Sequence, residues 1–119
     1  MKFTNANNSE WVIRKDYKKQ ILLDKDAFNQ DGLLLQIVII PPNTKQRVHS
    51  HDIQTEVFYI LEGECTITIN DTDYLAKQGN AFICSPGDNH NLWNKTDKDF
   101  KLLVFKIDLP DSEDTNWNE

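Results

Sequence analysis

The stretch from Arg47 to Phe58, "RVHSHDIQTEVF", holds two of the chain's three histidines. His49 and His51 are separated by one residue, and Glu56 follows five positions after the second. On a strand, side chains two apart share a face, so both imidazoles aim at one point. A helix would send them to nearly opposite sides. A tight turn through Asp52, Ile53, Gln54 and Thr55 brings Glu56 back beside them. Two imidazoles and a carboxylate suit a first-row divalent metal. The third histidine, His90, lies in "GNAFICSPGDNHNLWN", three residues after Gly87 in a sharp Ser85-Pro86-Gly87 loop. Three histidines able to converge on one carboxylate point to a metal site rather than to a polar loop.

These residues fall in two motifs that resemble those of the cupin family, whose fold is a small double-sheet β-barrel. The first family motif is a glycine, five residues, HxH, three or four residues, a glutamate, six residues and a glycine. His49, His51, Glu56 and Gly63 match it, and Asn43 stands in place of the opening glycine. Asparagine tolerates left-handed backbone better than most residues. The second motif is a glycine, five residues, PxG, two residues, a histidine, three residues and an asparagine. Gly79, Gly87, His90 and Asn94 match it, while Ser85 replaces the first proline and Pro86 follows. Fifteen residues lie between Gly63 and Gly79, as in the compact microbial members.

The resemblance implies that His49, His51, Glu56 and His90 ligate a metal, the same four that the residue types suggest. Further coordination positions would be open to water or substrate. Fe(II) or Mn(II) is the first expectation, and Zn, Ni or Cu also suits three nitrogens and one oxygen. Glu56 is in addition the candidate catalytic base, able to leave the metal and take a proton.

The surrounding sequence reads as many short strands, cut by Asp31-Gly32, Pro41-Pro42-Asn43, Glu62-Gly63, Asn70-Asp71, Gln78-Gly79 and Pro86-Gly87. This spacing predicts an all-β sandwich or barrel, and the resemblance to the cupins implies their jelly-roll barrel, the double-stranded β-helix, with short N-terminal strands and an irregular acidic C-terminal tail. "IRKDYKKQI" fits a helical period at Ile13, Tyr17 and Ile21, but is read as strand–turn–strand. Lys45–Ser50 is read as one strand. The expected division is a single barrel domain over residues 1–109 and an acidic, flexible tail over 110–119. Trp117 is out of keeping with such a tail; docking on the barrel or on a partner is the other reading.

Parity along these strands selects the pocket. Phe58 and Ile60 share the face of Glu56, and Leu92 lies beside His90. Together they predict an apolar cavity around the metal. Arg47, two before His49, is placed in the same interior, either to meet a substrate carboxylate or phosphate or as a rim salt bridge. Gln54 is placed to bond a ligating histidine or a bound oxygen species, or as a plain loop residue. With few polar groups foreseen in the pocket, a sugar is disfavoured.

The chain has 119 residues and a formal charge of −6. Residues 108–119 hold five acids and no base, which leaves fourteen acids against thirteen bases in the rest. That body has no basic surface for nucleic acid. "MKFTNANNSE" does not read as a signal peptide, and "LLLQIVII" is far too short to span a bilayer. Two cysteines without a CxxC fit a reduced, cytoplasmic protein. "EVFYILEG" and "KLLVFKID" are apolar on both faces, which predicts a covering layer from a second copy, hence a homodimer. The expected function is a metal-dependent, dioxygenase-like enzyme acting on a small organic molecule. Its alternatives are a metal-assisted sugar or keto-acid isomerase, epimerase or lyase, and a non-catalytic binding protein.

Overall fold

The structure is a computed structural model describing residues 2–5 and 10–119. Among these the chain forms β1 (Val12–Ile13), β2 (Lys18–Leu23), β3 (Leu34–Ile40), β4 (Thr44–Lys45), β5 (His49–Ser50), β6 (Thr55–Glu62), β7 (Glu64–Ile69), β8 (Thr72–Lys77), β9 (Ala81–Cys84), β10 (His90–Asn94), β11 (Phe100–Ile107) and β12 (Asn116–Trp117). A single 3₁₀ turn spans Lys25–Ala27. The strands make two antiparallel sheets, ordered β1-β2-β3-β11-β6-β9 and β12-β5-β10-β7-β8, with β4 also on β10. This is the expected all-β jelly roll.

Alternation builds the core. On β6, Glu56, Phe58 and Ile60 are buried, and on β11 Phe100, Leu102 and Val104 are. The apolar ones among them meet Cys65, Ile67 and Leu92 from the other sheet in one cluster. Burying a side chain such as Phe100 or Ile60, neither exposed at all, stabilises the fold by roughly 1.5–3 kcal/mol. The intervening residues of β11, Leu103 and Phe105, are half-buried on the outer face.

Two motif residues act as scaffold. Asn43, at the missing glycine, has φ 52°, so asparagine supplies the left-handed turn that glycine would have. Asn94 is fully buried. Its amide nitrogen faces the carbonyls of Ile40, Pro41 and Lys98 at 2.9, 3.1 and 2.7 Å, and ties β10 to the end of β3.

"IRKDYKKQI" is strand, turn and strand, closed by the Arg14 N–H donating to the Tyr17 carbonyl at 2.9 Å. The single strand expected over Lys45–Ser50 is instead interrupted between β4 and β5. Two of the intervening N–H groups leave the ladder for carboxylates: Arg47 donates to Asp16 at 2.7 Å and Val48 to Glu119 at 2.9 Å.

The acidic C-terminal segment runs back along β5. Asn116 and Trp117 pair with Ser50 and His49. The Asp114 carboxylate accepts from the N–H groups of Asp52, Ile53 and Gln54 at 3.1, 3.2 and 3.0 Å. Composition treats such acids as solvated. Here the tight turn before β6 presents three backbone donors lacking ladder partners, and a carboxylate satisfies all three. Those donors outweigh burial and hold Asp114 below its usual range.

Candidate metal centre

His49 and His90 face each other across the β5–β10 pairing. His51 stands just past the end of β5, and Glu56 is the second residue of β6. The loop before β10 locks the two motifs together, because the Gly87 N–H donates to the His51 carbonyl at 2.7 Å. Ser85, in place of the family proline, keeps an N–H that donates to Asp88 at 2.9 Å, a bond proline lacks.

All four side chains are buried, and each offers one donor atom within 4.8 Å of the others. The imidazoles are oriented alike. The Nδ1 of His49, His51 and His90 lies 2.9, 3.0 and 3.0 Å from the carbonyls of Arg47, Asp114 and Asp88. A carbonyl only accepts, so each Nδ1 carries the proton. That tautomer leaves every Nε2 with a lone pair for the centre, the arrangement expected around a metal. The Nε2 atoms of His51 and His90 lie 2.7 and 3.2 Å from Glu56 Oε1. Lone pairs and a carboxylate at that distance repel unless a proton or a cation lies among them. The donor set therefore fits a divalent transition metal.

The electrostatics agree. Burial, followed by the neighbouring His90, lowers His49 to about 4. Burial would raise the Glu56 carboxyl, but hydrogen bonds to His51 and His90 hold it well below its usual range. Burial likewise works against protonated His90, but bonding to Cys84 and Glu56 raises it to about 10.

A cavity of about 70 Å³ opens from the cluster between the sheets. Phe58 and Leu92 line it as expected. Ile60 does not; it is fully buried in the core one position deeper. Arg47 also lies off the cavity, its Nε 3.1 Å from Asp16 Oδ2 and its guanidinium 3.9 Å from the Trp117 ring centre. The break between β4 and β5 destroys the parity that would have turned it inward. Gln54 is buried against Asp114 rather than against a histidine. It acts one bond removed, since Asp114 carries the carbonyl that orients His51.

The rest of the wall was not foreseen. Tyr17, Lys19, Gln36, Gln46, Lys106 and Trp117 all line the cavity. The expectation of a pocket poor in polar groups, and the case it made against hydroxylated substrates, is therefore corrected. Inward parity on β2 and β3 was the available signal for Lys19 and Gln36. For Trp117 the signal was an aromatic residue in an otherwise solvated tail.

The chain matches the cupin domain family over residues 36–106. It is 29% identical over 86 residues to an oxalate-binding protein of Thermotoga maritima, covering 72% of this chain and 71% of that one. Among solved structures, the polyketide cyclase RemF of Streptomyces resistomycificus superposes with a TM-score of 0.83 at 19% identity, over 100% of this chain and 86% of its own. A predicted oxalate decarboxylase of Thermotoga maritima gives 0.79 at 23% identity, over 89% and 98%. With the family match spanning more than half of its length and both motifs folded around one cavity, the chain belongs to the cupin family.

Proposed function

We propose that this cupin is a metal-dependent enzyme acting on a small organic molecule, with His49, His51, Glu56 and His90 as the metal ligands and Fe(II) or Mn(II) as the metal. The observation that carries it is the shared orientation: three Nδ1 atoms face backbone carbonyls, and the four side chains bring their remaining donor atoms within 4.8 Å of one another. When bound, such a metal supplies a Lewis acid with positions open beyond the four protein donors. Phe58, Leu92, Val38 and Leu102 exclude water around it. In a dioxygenase-like reaction these apolar walls protect the substrate once it is seated. Glu56 is the group placed to take a proton from it.

A second reading, non-oxidative proton transfer as in an isomerase or lyase, is favoured by the polar wall. Burial pushes the Tyr17 phenol up, so its hydroxyl stays a proton donor at neutral pH. Binding without turnover is the third reading, supported by a relative named for binding oxalate. Elemental analysis of tag-free protein beside His49→Ala and His90→Ala tests the shared premise. A near-stoichiometric first-row metal lost by both variants is expected. Wild-type protein without metal after incubation with Fe(II), Mn(II) and Zn(II) would sink it. Oxygen uptake by the loaded protein on candidate substrates then separates the first reading from the second.

The same reading includes a homodimer in the cytoplasm. Tyr59, Val57, Leu103 and Ile83 form an apolar outer face across β11, β6 and β9, with Tyr59 46% and Ile83 59% exposed. Both cysteines are free and buried, in keeping with a reducing compartment. Light scattering is expected to give twice the chain mass for wild type and the single mass for Tyr59→Asp. A wild-type monomer would remove the dimer.

A further inference from the structure

The wall opposite the ligating cluster has a chemistry of its own. Lys19 on β2 and Lys106 on β11 line the cavity, and Glu56 is the one carboxylate among the lining residues. Among the described residues neither lysine forms a salt bridge. Glu56 is bonded to the histidines, and Glu113 and Glu56 act on Lys19 only through space, so the two lysines line a small space without a directly paired carboxylate. This cationic wall sits inside a protein whose formal charge is −6.

Beside the lysines are two glutamines. Gln36 and Gln46 are 4% and 7% exposed, and both line the cavity. The Oε1 of each is buried with no hydrogen-bond partner. A buried amide oxygen without a donor is costly, so each calls for a donor from the cavity, which water or a ligand hydroxyl can supply. The cavity of about 70 Å³, at roughly 10–15 Å³ per water position, holds about five to seven atoms of that size.

We infer that this wall is a subsite for a small hydroxycarboxylate, with the carboxylate facing Lys19 and Lys106 and the hydroxyl donating to Gln36 or Gln46. It deepens the proposed function and rests on that reading for the ligand's metal-facing end alone. Ammonium groups select a carboxylate over a neutral group, and orphan amide acceptors select an O–H over a C–H. The size limit favours acids of two to about four carbons.

The test is calorimetric binding of glycolate, acetate and ethylene glycol to full-length protein, with metal content measured on the same samples. Glycolate is expected to bind best, with acetate and ethylene glycol each about tenfold weaker or more. Lys19→Met and, as a second variant, Lys106→Met should each weaken both acids about tenfold and leave ethylene glycol unchanged. Gln36→Leu or Gln46→Leu should erase the preference for glycolate over acetate, and its survival in both variants overturns the hydroxyl contact. Equal binding of the three, or lysine variants that bind the acids like wild type, overturns the subsite even if the metal is present. The full pattern in protein that holds no metal keeps the subsite and removes the metal reading.

Discussion

The ligating end of the cavity and its opposite wall differ in how their residues lie along the chain. His49, His51 and Glu56 fall within one short stretch, and His90 pairs directly with His49. Lys19, Gln36, Lys106 and Trp117 come from four different strands, β2, β3, β11 and β12, and Tyr17 from the turn before β2. The first group is held by local spacing and turn geometry. The second depends on register across β2, β3 and β11 and on a segment folding back over β5. Chemistry that must be fixed to a fraction of an ångström lies in the local group. Chemistry that chooses what enters lies in the dispersed one, where residue types can change without disturbing the ligands.

The sharpest contrast is between Glu56→Ala and Gln36→Leu. The first removes the shared carboxylate and should abolish stoichiometric metal. The second, on the facing wall, should leave metal content at the wild-type level. Loss of metal in both, by elemental analysis of folded protein, would erase the distinction between the two ends.

An intermediate effect is expected where the regions touch. The Asp114 carbonyl accepts from His51 Nδ1, and its carboxylate anchors the tail. Asp114→Ala should loosen that carbonyl and weaken metal binding by about 10–100-fold, as is usual for groups that orient a ligating histidine. Competition with a chelator measures it. Wild-type affinity would show that the ligating end is independent of the tail.

The smallest effect is a proton count. His90 is raised to about 10 in the metal-free protein, so at neutral pH it carries a proton that metal displaces. Stability from that raised value is present below the unfolded value of about 6.5 and is lost as pH rises through the folded one. Metal binding near neutral pH should therefore release about one proton, read by calorimetry in buffers of different ionisation enthalpy. Release of none would mean that the donors are already deprotonated.

The convergence of His49, His51, Glu56 and His90 was legible because these residues carry their geometry with them. A pair two apart on a strand, a glutamate after a tight turn and glycines at positive φ leave few arrangements. Turn signals at regular spacing gave an all-β sandwich or barrel, and the motif resemblance narrowed it to the jelly roll. The opposite wall was not legible, for identifiable reasons. Lys19 and Gln36 point inward on β2 and β3, but charge and amide side chains there read as surface until the sheet order is known. Of the two readings of Arg47, the salt bridge holds, because two backbone N–H groups leave the ladder for carboxylates far away in sequence, Asp16 and Glu119, and its side chain follows to Asp16. Asp114 was hidden by a composition that counts acids without asking which donors await them, whereas Trp117 stood out from the tail and docks on the barrel.

The pairing of β10 with β5 has a consequence for how the site is born. Three donors lie close enough to gather in a single hairpin-sized segment, while His90 is separated from Glu56 by 34 residues and joins them only when β10 docks. A growing or partly folded chain can hold an incomplete claw early and gains its last tooth late, after a long loop has closed. A metal captured at that stage would tether two distant segments like a clasp. Unfolding would then have to open the clasp before the sheet could part, so the lifetime of the native state would track metal supply as much as packing.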